Sequence, residues 1–347
     1  MEDNLPKDSS SENTPDNLVE IRDMTVQFTK PKGSLLAVNH VDFDVRRGQL
    51  TALVGESGSG KSTLAFSTMG IFSGNGKRLS GEVLFDGMDV MKLSEEELLK
   101  FRWQKTSMIF QSAQNALNPL MTVRQHFLET YEVHRKKADA SHVDALFVKL
   151  LEDVRLEPER VLKSYPHELS GGMRQRVMIA FSMLLNPTFI ILDEPTTALD
   201  VITQDYIFSI MDDIHKKTNA TMLLLTHDIG VVAKVADRIA VMYGGRIVEV
   251  GGIMEVFKKS AHPYTSLLIH SAPSLLDKGD LKKPIEGSPP DLMNLPPGCA
   301  FHPRCPYAQD ICQLDVPELV DTGGGHLGAC HFNIAYAKEQ ERGLSDE

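Results

Sequence analysis

Gly55-Glu56-Ser57-Gly58-Ser59-Gly60-Lys61-Ser62 is preceded by the apolar run Ala52 to Val54 and followed by the helical Thr63-Leu64-Ala65-Phe66. The segment fits the G-x-x-x-x-G-K-S/T template in the strand-to-helix setting that the template requires. Its glycines let backbone N–H groups converge on phosphate oxygens, the start of the following helix adds positive potential, and the Lys61 ammonium reaches the β and γ phosphates. The Ser62 hydroxyl is placed to hold Mg²⁺. A Gly-rich turn with a fortuitous lysine accounts for the loop, but not for strand, Lys-Ser pair and helix together.

Downstream, Phe189-Ile190-Ile191-Leu192-Asp193-Glu194 is an apolar strand ending in two acids. Asp193 suits Mg²⁺, and Glu194 is placed to orient and deprotonate an attacking water. One acid after an apolar strand often means only a helix cap; two acids behind a phosphate loop do not read that way. Met108 to Phe110, Met222 to Leu225 and Ile239 to Tyr243 are also fully apolar, the pattern of strands covered on both faces by helices.

Residues 18–54 alternate as half-buried strands do, with Val26 and Phe28, then Val38, Val41, Phe43 and Val45. From Thr122 to about Leu185 the pattern is helical only: Val123, Phe127 and Tyr131, then Val143, Leu146, Phe147, Leu150, Leu151 and Val154. The expected fold class is α/β, with a mostly parallel core sheet, an antiparallel β subdomain, an inserted α-helical subdomain and a small loop-rich C-terminal extension. After Gly251 prolines interrupt long elements. The expected division is an acidic disordered tail 1–17, a nucleotide-binding domain 18–252 with its helical subdomain at about 112–187, an extension 253–337 and a polar tail 338–347.

The chain has 347 residues, 36 Lys and Arg against 47 Asp and Glu, a formal charge of −11 and 42% apolar residues. This is a globular composition. Its acidic balance argues against coating nucleic acid or anionic membrane, either of which calls for a basic surface. Residues 1–17 hold five acids and one base with almost nothing apolar, so no targeting signal fits them. The longest nearly apolar run, Val177 to Leu185, is nine residues, about half of what a helix needs to cross a bilayer. A soluble, cytoplasmic chain is expected.

Leu169-Ser170-Gly171-Gly172-Met173-Arg174-Gln175-Arg176 resembles the signature motif of ABC-type ATPases. A Ser-Gly-Gly turn opening a helix is also an anion site in its own right; a capped core helix explains Ser170 but not both glycines. The resemblance implies two nucleotide-binding domains facing each other, with Ser170, Gly171, Gly172 and Met173 against the ATP on the partner's phosphate loop. Met173 is a departure, since glutamine is common there. The same resemblance makes Gln111 the glutamine that contacts Mg²⁺ and the nucleophilic water. Asp200, in Ala198-Leu199-Asp200, becomes the residue that touches the opposite monomer, and His227 the switch histidine that holds the γ-phosphate. Phe28 corresponds to the aromatic stacked on adenine. Gly55, Ser57, Gly58, Ser59, Gly60, Lys61, Ser62 and Thr63 then surround ATP, while Ser62, Gln111 and Asp193 hold Mg²⁺.

Cys299-x5-Cys305-x6-Cys312-x17-Cys330 places four thiols in a Pro/Gly-rich region, which suits a Cys₄ zinc site or a [4Fe–4S] cluster. His262-Pro263-Tyr264-Thr265 together with Pro296-Pro297-Gly298-Cys299-Ala300-Phe301-His302-Pro303-Arg304-Cys305 is similar to the C-terminal extension of the oligopeptide and dipeptide importer ATPases. That similarity implies an iron–sulfur cluster on the four cysteines. Zinc, helped by His302 or His331, and an unmetallated loop are the alternatives.

The function implied by the resemblance is the ATP-hydrolysing subunit of a membrane importer of oligopeptides or dipeptides, peripheral on the cytoplasmic face. Its partners are then a second ABC ATPase subunit of related sequence, two transmembrane permeases and, indirectly, an extracytoplasmic solute-binding protein, with no nucleic acid. The same role for nickel, glutathione or another small solute is the alternative. A soluble ABC ATPase acting on nucleic acid or ribosomes is more distant, given one phosphate loop, one signature and the acidic charge.

Overall fold

The computed structural model describes residues 17–72, 74–111, 116–135, 140–197, 199–271 and 284–332. Of the expected tails, residues 1–16 and 338–347 lie outside the described residues. Asn17 already opens the first strand.

β1 (Asn17–Lys30) and β2 (Gly33–Arg46) pair as an antiparallel hairpin. They are followed by β3 (Leu50–Val54), α1 (Lys61–Ser67), β4 (Gly76–Phe85), β5 (Met88–Asp89), α2 (Glu95–Gln104) and β6 (Thr106–Ile109). Four helices come next: α3 (Val123–His134), α4 (Ala140–Asp153), α5 (Pro158–Lys163) and α6 (Gly171–Ser182). The chain then alternates through β7 (Phe189–Asp193), α7 (Val201–Thr218), β8 (Thr221–Thr226), α8 (Ile229–Val235) and β9 (Arg238–Tyr243). β10 (Arg246–Gly252), α9 (Ile253–Lys258), α10 (Pro263–Ser271), α11 (Asp310–Leu314), β11 (Val320–Gly323) and β12 (His326–Gly328) complete it.

One sheet has the order β2-β1-β4-β5 and is antiparallel. The other runs β11-β12-β10-β9-β3-β8-β7-β6. Within it β9, β3, β8, β7 and β6 are parallel, and the remaining three strands pair antiparallel. Val54 stands opposite Thr226, Leu225 opposite Asp193, and Leu192 opposite Ile109. The carboxyl ends of four neighbouring strands therefore align, and the loops that follow them emerge at one edge, where open α/β sheets bind ligands.

Both faces of this sheet are covered, which is why its strands are continuously apolar. Leu50, Ala52, Val54, Ile190, Leu192, Met222 and Leu224 pack with α3, α4, α6 and α7. Leu53, Ile191, Leu223 and Leu225 turn the other way, towards the antiparallel sheet. Val123, Phe127, Val143, Phe147, Leu150, Leu151 and Val154 are buried as their spacing predicts, with the Phe127 and Phe147 rings edge-on at 5.2 Å. Phe110 falls outside the strand expected there; it is half exposed and stacks on Phe66.

The C-terminal part is less separate than its prolines suggest. β12 pairs with β10, so its hairpin with β11 prolongs the large sheet. Tyr264 and Phe301 join the main core. In β10 the fully buried Glu249 accepts from the N–H groups of Ala261 and His262 at 2.7 and 2.9 Å and pairs with His326 Nε2 at 2.8 Å. A buried carboxylate held by three such bonds fixes geometry strongly, since leaving its partners unpaired is costly.

His262 is buried, its Nδ1 accepting from the Tyr264 N–H at 3.0 Å. Burial pushes its pKa down to about 3. The unfolded chain takes up this proton below about pH 6.5 while the folded chain does not. The stability His262 contributes is therefore complete above that pH and is lost as pH falls toward about 3. His262→Asn keeps an acceptor without the titration. Denaturant unfolding should lose roughly 1.4 kcal/mol less per pH unit in this variant than in the wild type between about pH 6 and 4; equal slopes contradict the assignment.

Candidate functional site

Between β3 and α1 the backbone takes positive φ at Gly55 (+152°), Gly58 (+81°) and Gly60 (+108°). A Cβ on Gly55 would stand 2.2 Å from the Met242 carbonyl oxygen, and one on Gly60 2.1 Å from that of Ala37. Only glycine fits at these two positions. Lys61, the first residue of α1, is 7% exposed. Its Nζ donates to the Gly55 and Glu56 carbonyls at 2.6 and 3.0 Å and reaches Ser59 Oγ at 3.4 Å. Burial lowers its pKa, opposed by the nearby acids Glu194, Asp193 and Glu56. Ser57, Gly58 and Ser59 border a cavity of about 250 Å³ whose far wall is Pro289 to Leu292. Phe28 does not line it; its cross-strand partner Leu35 does. Ser62 and Thr63 are part-buried in the first turn of α1.

Ser62 Oγ donates to Asp193 Oδ1 at 3.2 Å, tying the loop to the end of β7. Asp193 is 6% exposed, and burial is the main influence raising its pKa. The next residue, Glu194, has φ +46° and donates its N–H to Leu225 O at 2.9 Å, so its backbone is locked against β8. Its Oε2 accepts from Gln111 Nε2 at 2.9 Å and Thr197 Oγ1 at 3.0 Å, and its Oε1 lies 3.2 Å from His227 Nδ1. Gln111, Glu194 and His227, which follow β6, β7 and β8, and Asp193, which ends β7, thus meet at one edge with Ser62 and Lys61. Thr197 is a member that sequence reasoning missed. The available signal was a hydroxyl residue three places after an acid, a spacing that closes turns.

Ser170, Gly171, Gly172 and Met173 stand elsewhere. Ser170 caps α6, its Oγ accepting from the Met173 N–H at 3.3 Å. Asp200 caps α7 by accepting from the Thr203 N–H and hydroxyl at 3.0 and 2.7 Å, which also holds its carboxyl below the usual range. A Cβ on Gly172 would come 2.8 Å from Thr203 Cγ2, so the starts of α6 and α7 abut. Among the described residues no hydrogen bond joins Ser170 to Met173, or Asp200, to Gly55 to Ser62.

The cysteine expectation is corrected. Among the described residues no group of three or more His, Cys, Asp and Glu is arranged to hold a metal ion. Cys299, Cys305, Cys312 and Cys330 line a cavity of about 130 Å³ together with Pro317, Tyr307 and Phe332. Burial raises the Cys299 thiol and pushes those of Cys305 and Cys330 up to about 11. His302 Nδ1 and His331 Nε2 bond to the Cys299 and Asp315 carbonyls instead. Cys299 and Cys305 pack against the main core.

Residues 38–197 match the family described as ABC transporter, and residues 248–312 the one described as oligopeptide/dipeptide transporter, C-terminal region. The dipeptide transport ATP-binding protein DppD of Caldanaerobacter subterraneus is 42% identical over 91% of this chain and 97% of its own length. The oligopeptide transport ATP-binding proteins OppD of Escherichia coli and AppD of Bacillus subtilis are each 42% identical, over 91% and 93% of this chain and 93% and 99% of theirs. A dimeric ATP-binding cassette solved in a post-hydrolysis state with ADP and Pi superposes with a TM-score of 0.60 at 28% identity, over 68% of this chain and 98% of that one. cbiO1 of Clostridium perfringens gives the same TM-score and identity over 70% and 91%.

The glycines allow a direct check of the loop geometry. Gly60→Ala should cost at least about 2 kcal/mol, from strain plus collision with Ala37. Gly58→Ala, whose added carbon meets open space, should cost about 1 kcal/mol. Denaturant melts giving equal losses would contradict the loop as described.

Proposed function

The chain belongs to the ABC transporter ATP-binding proteins that carry the oligopeptide/dipeptide-transporter C-terminal region, and on that premise we propose that it hydrolyses ATP to power the import of dipeptides or oligopeptides. The observation that carries this reading is the Glu194 carboxylate, held by Gln111, Thr197 and His227 beside Ser62, Asp193 and Lys61.

ATP and Mg²⁺ are the ligands of the family. The donors present fit them: Ser62 and Asp193, 3.2 Å apart, and the amide oxygen of Gln111 are the hard oxygens that Mg²⁺ takes. Bound there, the cation neutralises charge on the phosphate oxygens. Lys61 exchanges its loop carbonyls for β- and γ-phosphate oxygens, and the N–H groups of Gly55 to Thr63 cradle the remainder. A carboxylate has about four lone-pair directions; the three donors on Glu194 leave one, through which it orients a water and accepts its proton. His227, more than half exposed, stands on the open side to hold the γ-phosphate. Phe28 is assigned to the adenine from its place across the hairpin from Leu35.

Ser170, Gly171, Gly172, Met173 and Asp200 make no bond to their own phosphate loop, which supports their facing the nucleotide of a second ATPase subunit of related sequence. Among the described residues no helix is long and apolar enough to cross a membrane, in keeping with a peripheral subunit whose transmembrane permeases supply the path and whose solute-binding protein selects the cargo. Residues 18–252 carry the nucleotide chemistry and 253–337 form the extension. ATP-driven closure passes to the permeases through the surface near Gln111 and the helical subdomain.

Glu194→Gln should lower steady-state ATP turnover by about a hundredfold to ten-thousandfold while ATP binding persists; undiminished turnover sinks the assignment. Thr197→Val leaves the carboxylate less well oriented, so kcat should fall several-fold with KM for ATP little changed.

A further inference from the structure

Arg304, in the C-terminal extension, reaches across 248 positions of sequence to Glu56. Its Nη1 donates to Glu56 Oε2 at 2.7 Å and its Nη2 to Oε1 at 3.0 Å, a two-pronged pair in which the arginine side chain is 7% exposed. Nη1 also donates to the Tyr243 hydroxyl at 3.2 Å and Nε to the Glu286 carbonyl at 2.9 Å. The guanidinium stands 5.9 Å from the Tyr243 and Phe301 ring centres. The loop is gripped through its backbone as well, because the Glu56 N–H donates to the Tyr264 hydroxyl at 3.0 Å.

Glu56 occupies a position that the phosphate-loop template leaves open, and a carboxylate there carries a specific liability. Its charge repels a triphosphate and attracts the Lys61 ammonium, whose Nζ is already 3.0 Å from the Glu56 carbonyl. Arg304 engages both carboxylate oxygens and holds them towards the extension. With the Arg304 and Glu56 side chains 7% and 22% exposed, solvent screens the carboxylate only in part.

We propose that Arg304 is a positioning residue of the nucleotide site: by neutralising Glu56 and drawing it aside, it lets the phosphate loop accept an anion, and so makes the extension part of the ATP site. The proposal rests on the reading of Gly55 to Ser62 as the phosphate loop of an ATPase. A purely structural brace predicts that any loss of the pair weakens binding. The electrostatic role predicts that removing both charges restores what removing the cation alone destroys.

The test is calorimetric titration of the full chain with ATP and Mg²⁺, in the Glu194→Gln background to suppress turnover. Arg304→Met should raise Kd for ATP about tenfold, and adding Glu56→Gln should recover most of that loss. Unchanged binding in Arg304→Met, or equally weak binding in the double variant, overturns the proposal. Lys61→Ala separates the two levels of the argument. If it binds ATP normally, the phosphate-loop reading itself fails; if it loses ATP while Arg304→Met does not, only the role of Arg304 fails. Should Arg304→Met not fold, Glu56→Gln alone decides, because an uncompensated Arg304 beside the loop must tighten ATP binding several-fold and weaker binding refutes the idea.

Discussion

Parallel register among β3, β8, β7 and β6 is the constraint on which the site depends. Val54 pairs with Thr226, Leu225 with Asp193 and Leu192 with Ile109, so the phosphate loop, His227, Glu194 and Gln111 leave the sheet at one level. A slip of one residue would exchange the two faces of a strand, bringing residues that now pack on the helices against the antiparallel sheet. Burial on both sides therefore enforces the register, and the register aims the chemistry. The Glu194 N–H to Leu225 carbonyl bond is where packing becomes positioning: it pins the left-handed backbone that turns the carboxylate towards Gln111, Thr197 and His227.

Much of this was legible from sequence because it is local. Lys61, Ser62, Asp193, Glu194 and His227 each sit within a few residues of a strand whose apolar run marks its end, and strand ends in an α/β sheet gather. Val123 to Val154 disclosed the helical layer through spacing alone. Long-range pairings left no such trace. Glu56 and Arg304 are each unremarkable in their own neighbourhoods, and Thr197 looks like any turn hydroxyl. The β11–β12 hairpin was hidden because its residues are mostly exposed and three consecutive glycines, Gly323 to Gly325, break its pattern. The cysteines misled for a related reason: spacing counts thiols but does not say how the fold arranges them, and among the described residues no group of three or more His, Cys, Asp and Glu is placed to hold a metal ion.

Three buried polar groups change how the C-terminal part is understood. Glu249, His262 and His326 join β10 to the segment after α9 and to β12, while Tyr264 and Arg304 continue inward to the phosphate loop. A segment whose composition resembles a loose appendage is thereby wired, bond by bond, to residues beside Lys61. The opposite flank of the molecule is arranged differently. Ser170 and Asp200 cap their own helices, α6 and α7, and among the described residues neither bonds to the phosphate loop.

The central claim of the proposed function is that Gln111 and His227, besides their own contacts with Mg²⁺ and the γ-phosphate, both orient the Glu194 carboxylate. It is tested most directly by a double-mutant cycle on ATP turnover, with Gln111→Ala, His227→Ala and the pair compared under identical conditions. Shared orientation of Glu194 predicts non-additivity, the combined loss in the double variant falling short of the product of the two single losses. Losses that multiply independently would contradict the account.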